Sequence, residues 1–279
     1  MKKFYLFLSL VALILCVAGC GKTETKLPDL SMLGKITVIA REEGSGTKDA
    51  YKLLVKTNEA GANKIAASTN QVMDITSGDK NAIGYMALSA LQNADHVKAL
   101  SIDNIAASHD NIASGKYPLC RQYLIAYKGK LNDLEVDFLT YILGAGQKIV
   151  NENCIPVDKV TSFLSLKPTG TITISGSSSV APLMEKLVAD YKRYNAGGVI
   201  KVEVSDSSAG LNAALRGDCD LAMSSRPLKD YEKELLETKA IAADGLAVIV
   251  NKENPLTGLS LDQVKSIYDG NVKNWTDLK

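Results

Sequence analysis

Thr171–Met184, TITISGSSSVAPLM, changes period partway along. Thr171 to Ser175 alternates like a β-strand, Gly176 to Ser179 interrupts with small residues, and Val180, Leu183, Met184, Leu187, Tyr191 and Tyr194 then recur at helical spacing. The same change is repeated twice. Val199–Val204 leads through Ser207–Gly210 into Leu211–Arg216, and Lys35–Ala40 leads through Arg41 and Gly44–Thr47 into Ala50, Tyr51, Leu54 and Val55. Each junction sets the unpaired N–H groups and partial positive charge of a helix N-terminus beside small hydroxyl residues, which suits an anion. A single junction is more readily a cap or a turn. Three in one chain point to an anion site.

Outward from these junctions, Ser68–Asn70 starts another helical stretch and Asn81–Met86 reads as a turn and short strand. Tyr123–Tyr127 reads as a buried strand, Asp133 to Asn151 as one helix, Ser165–Gly170 as a linker and Leu246–Val250 as another buried strand. Ser260 with Gln263 forms a capping box for a helix through Tyr268. Strands alternating with helices predict an α/β fold of mixed, mainly parallel sheets flanked by helices, with ligand beyond the strand C-terminal ends.

With 279 residues and 46% hydrophobic content, the chain can bury the cores of two lobes. Residues 1–19 stand apart: Lys2 and Lys3 precede an apolar run from Phe4 to Val17 that is too short for a stable membrane span and reads as an export signal. Val17-Ala18-Gly19-Cys20 resembles a bacterial lipobox, which implies lipidation of Cys20, a tether over 20–33 and anchorage on the outer membrane face. The alternative is a plain secretory signal with a chance Cys. Loss of Lys2 and Lys3 takes the formal net charge from +1 to about −1, so no basic excess exists to attract nucleic acid. Cys120, Cys154 and Cys219 fit no zinc spacing; they read as free thiols, with a Cys120–Cys154 bridge as the alternative.

The chain resembles the phosphate-binding protein of the bacterial high-affinity phosphate ABC transporter. The resemblance rests on Thr171–Met184, Ser207–Leu228 (SSAGLNAALRGDCDLAMSSRPL), Asp244–Pro255 (DGLAVIVNKENP), the NWTDL ending at Leu278, Ile36–Thr47 (ITVIAREEGSGT) and Ala82–Tyr85 (AIGY). Their order is inverted: in that family the stretch like Thr171–Leu278 comes first. This reads as a circular permutation, with a truncated tandem array as the alternative. The resemblance implies two lobes around a cleft, one formed by 34–122 with 251–279 and the other by 123–250, hinged at Tyr123–Tyr127 and Leu246–Val250.

It further implies that Arg41, Ser45, Gly46, Thr47, Ser178, Ser179, Ser207 and Ser225 hold inorganic phosphate, delivered to an ABC permease without cofactor, metal or catalysis. Arg41 would supply the charge-assisted contact and the hydroxyls the remainder. A carboxylate accepting the phosphate proton would exclude sulfate. Some family members carry Asp where this chain has Ser225, leaving Glu43 and Asp206 as substitutes, each more readily structural or solvated. Arg226 touches ligand or faces water; Ser68 adds a hydroxyl or caps a helix; Tyr268 and Trp275 pack. The competing functions are a phosphate sensor, a non-binding remnant and a Ser-nucleophile phosphoester hydrolase. Hydrolysis is disfavoured, because His96 and His109 lie in polar stretches and no G-x-S-x-G or phosphate loop occurs. A monomer and a swapped dimer both remain open.

Overall fold

The computed structural model describes residues 28–278. The export signal, Cys20 and the tether through residue 27 lie outside the described residues. The first lobe begins with β1 (Thr37–Arg41), α1 (Gly46–Val55), β2 (Lys64–Ala66), α2 (Thr69–Gly78) and β3 (Ala82–Ala87). Short β4 (Val97–Ala99), β5 (Ser101–Ile102) and α3 (His109–Ala113) follow. β6 (Cys120–Tyr127) enters the second lobe, which continues through α4 (Asp133–Leu143), α5 (Gln147–Asn153), β7 (Gly170–Ser177), α6 (Ala181–Tyr191), β8 (Gly198–Ser205), α7 (Ser207–Arg216), β9 (Leu221–Ser224) and α8 (Asp230–Lys233). β10 (Glu237–Asn251) returns to the first lobe, completed by β11 (Gly258–Leu259) and α9 (Leu261–Tyr268).

One curled sheet runs through both lobes in the order β2-β1-β3-β10-β6-β9-β7-β8, with β4 also beside β10. Its flanks are parallel, as expected of strand–helix–strand units, whereas β10 and β6 run antiparallel through the middle. β10 belongs to both lobes: Glu237–Gly245 pairs with β6, and Leu246–Val250 pairs with β3. Leu246, Val248 and Val250 pack with Trp275 and Tyr268 in the first lobe's core, while Tyr123, Ile125, Ile241 and Ala242 pack with Leu187 and Tyr191 in the second's. The crossing on β10 therefore falls at about Asp244–Leu246, earlier than the expected boundary at Val250. The alternating apolar residues after Gly245 decide this, because they face the first core.

The expected helix over Asp133–Asn151 is two helices, broken where Gly144 and Gly146 interrupt the run. Other expectations hold closely: Ser260 and Gln263 form the capping box, and Tyr268 and Trp275 are fully buried. Cys120, Cys154 and Cys219 are free thiols, so the Cys120–Cys154 bridge is absent. The two ends of the described chain lie side by side: Lys35 bridges Asn274, and Trp275 N–H donates to Gly34 O at 3.2 Å. The linker before β7 docks on the second lobe, with Ser165 Oγ donating to Asp137 at 2.7 Å and Asn195 donating to Pro168 O at 2.8 Å.

Candidate functional site

Three helix N-termini converge between the lobes. Ser45 caps α1, its Oγ accepting from Lys48 N–H at 3.3 Å, so Gly46 and Thr47 start the helix facing the second lobe. Gly176, next to last in β7, has φ +136°, and a Cβ there would stand 2.3 Å from Met223 O; only glycine lets the backbone bend so close to β9. That bend carries Ser177, Ser178 and Ser179 into the gap ahead of α6. Asp206 caps α7 through Ala209 N–H at 2.8 Å and leaves Ser207 fully buried at the first turn.

Hydroxyls from the two lobes bond one another directly. Thr47 Oγ1 lies 2.8 Å from Ser179 Oγ, and Arg41 Nη2 donates to Ser178 Oγ at 3.3 Å. Ser225 Oγ accepts from Ser177 Oγ at 2.9 Å and lies 3.3 Å from Ser207 Oγ, which in turn accepts Ser225 N–H at 3.1 Å. Gly46 abuts this pair: a Cβ on it would fall 2.2 Å from Ser207 Oγ and 2.8 Å from Ser225 Oγ. Of the eight residues expected, seven thus form one interlobe cluster; the eighth, Ser45, is buried beside them with its hydroxyl turned to its own helix.

The cluster's charge comes from guanidinium groups. Arg41 is 1% exposed; Nε and Nη2 form a fork with both carboxylate oxygens of Glu42, at 2.8 and 2.7 Å, and Nη1 reaches Thr69 Oγ1 at 3.3 Å. Neither proposed proton acceptor faces the cluster. Glu43 pairs with Lys48, which holds its carboxyl below the usual range, and its side chain is 89% exposed; Asp206 serves as a cap. Arg226 turns away from Ser225: it is buried in a bidentate pair with Glu232, and its Nε meets Asp49 of the first lobe at 3.2 Å.

Three contributors escape sequence reasoning. Ser68 caps α2 through Gln71 N–H, and the hydroxyl that reaches the cluster is its neighbour Thr69, 3.0 Å from Ser179 Oγ. Ser177 lies in the GSSS run, where nothing in the sequence separates it from the expected Ser178 and Ser179. Arg121, the second residue of β6, is 5% exposed and donates through Nη1 to Thr47 Oγ1 at 2.8 Å and Ser225 O at 3.2 Å; no local motif marks it.

Two lobes on a shared sheet, with polar groups from both meeting at helix N-termini, define a binding protein of the periplasmic-binding-protein type. The model described as the PBP superfamily domain matches residues 29–145 and 164–279. Within it, the chain belongs to the family of PstS phosphate-binding proteins. It is 37% identical over 277 residues to Phosphate-binding protein PstS 2 of Streptococcus agalactiae, covering 94% of this chain and 92% of that protein. A crystal structure of a phosphate ABC transporter, phosphate-binding protein from Streptococcus pneumoniae TIGR4 superposes with a TM-score of 0.71 at 34% identity, over 88% of this chain and 100% of that one. The PstS of Staphylococcus haemolyticus matches over only 111 residues at 40% identity, 37% of this chain and 35% of that protein.

Proposed function

We propose that this chain is a non-catalytic, extracytoplasmic receptor that captures inorganic phosphate between its lobes and delivers it to an ABC transporter permease. One observation carries the reading: Arg41, Gly46, Thr47, Ser178, Ser179, Ser207 and Ser225 converge from opposite lobes at three helix N-termini. The hydroxyls' partners are other hydroxyls, N–H groups and guanidinium, a donor set for a tetrahedral oxyanion, with no imidazole among them to activate a serine. Ser45 completes the set through the backbone it holds. Family membership supports the same ligand, since its relatives carry phosphate binding in their names.

The reading extends to topology and anchorage. The inverted order is a circular permutation folded as one body; supporting it, the streptococcal relative aligns along nearly its whole length whereas the staphylococcal one aligns over about a third. Packing supports lobes of 34–122 with the chain from about 246 onward, and of 123 to about 245. Cys20 carries the lipid. Calorimetric titration of the full chain with phosphate, sulfate and arsenate tests the central statement: heat with phosphate is expected, and silence with phosphate while a known receptor responds would refute it. Globomycin-sensitive incorporation of labelled palmitate at Cys20 is the corresponding measurement for the anchor.

A further inference from the structure

Resting on the phosphate reading, we infer that Arg121 is a second cationic ligand of the anion, presented by the hinge strand β6 and not by the tip of either lobe. Arg41's charge is already matched, because both oxygens of Glu42 are engaged by its guanidinium. Arg121's is not. Its side chain is 2% exposed; Nη1 points into the cluster at Thr47 and Ser225, while Nε and Nη2 have no hydrogen-bond acceptor among the described residues. The carboxylate across the strand pair, Asp244, stands 3.8 Å from Nη2 and takes its own donors, Tyr123 O–H at 2.6 Å and Ser89 N–H at 3.0 Å. Complete burial raises the Asp244 carboxyl above its ordinary value, which further weakens it as a counter-charge.

A buried guanidinium with a loose partner is costly unless an anion completes its shell. The cluster beside it presents donors and no free carboxylate, so a dianion there would be held by Arg41 and Arg121 from two directions. Because β6 and β10 are the crossing strands, the contact also links anion occupancy to the hinge.

Phosphate titrations of the full chain and of Arg121→Gln, Asp244→Asn and the double variant test this. Arg121→Gln is expected to bind about tenfold or more weakly, with the double variant, which leaves no lone buried carboxylate, showing the same loss if the single variant fails to fold. Asp244→Asn, by removing the competing charge, is expected to tighten binding about threefold. Affinity of Arg121→Gln or of the folded double variant within about twofold of the unmodified chain would overturn the assignment, as would unchanged or weaker binding by Asp244→Asn. An unmodified chain that gives no heat with phosphate refutes the underlying reading itself, and is told apart by failing before any variant is compared.

Discussion

The two lobes present their tips differently. The first lobe's tip, Arg41–Thr47, brings an ion pair, Arg41 with Glu42, and a helix whose serine is consumed in capping. The second lobe's tips bring neutral hydroxyls: Ser177, Ser207 and Ser225 bond one another, while Ser178 and Ser179 meet Arg41 and Thr47 of the first lobe. The difference assigns charge to one side and shape to the other. A neutral surface of rotatable O–H groups can be buried against the opposite lobe cheaply, whereas a guanidinium needs a partner at every stage.

That division can be broken most sharply at the contact itself. Gly46→Ala places a methyl against Ser207 and Ser225 and should cost about 2–3 kcal/mol of overpacking on closure, about a hundredfold in phosphate affinity. Calorimetry with small-angle scattering checks it; undiminished affinity would mean the lobes do not close on this contact. Arg41→Lys keeps the charge but loses the fork, leaving Glu42 with a single-point partner. Roughly 2 kcal/mol of binding, about thirtyfold, should go with it, and an unaltered titration would deny the first tip its electrostatic role.

Ser225→Asp tests the neutrality of the second tip. A carboxylate placed among Ser177 and Ser207 would repel sulfate yet accept the proton of phosphate, so sulfate affinity should fall about tenfold more than phosphate affinity. Equal losses would show that no proton is sensed there. A smaller effect concerns the support beneath the first tip. Glu59 is buried near Lys48, 4.0 Å away, and burial raises its carboxyl above 4.5. The folded state then favours the protonated form, so its stability penalty is absent below the ordinary value and grows as pH rises through the raised one. Glu59→Gln should lift the melting temperature by about 2–4 °C at neutral pH and flatten its dependence in that window. Least of all, Asp49→Asn, which removes a partly exposed partner of Arg226 across the lobes, should weaken phosphate binding by less than about threefold.

Much of this arrangement could be read from residues alone where local chemistry decides it. Strand, Ser/Gly break and helix specified the three N-termini, and Ser260 with Gln263 specified a cap that forms as expected. What escaped was set by distant packing. The length of β10 was hidden because Lys239, Asp244 and Gly245 interrupt its apolar run, although their backbone pairs continuously with β6 apart from one bulge. Arg121 sits in a strand with no motif, and its role depends on Thr47 and Ser225, remote in sequence and close only after folding. Thr69 was displaced by one residue from the hydroxyl considered, since a cap and its neighbour point in different directions.

The side-by-side path of Gly34–Ile36 and Lys273–Trp275, stitched by Trp275 N–H to Gly34 O and Ile36 N–H to Lys273 O, clamps the first and last stretches of the described residues to each other. Peeling either stretch away would strip the other of these backbone bonds, so the two come loose together and take the edge of the first lobe with them.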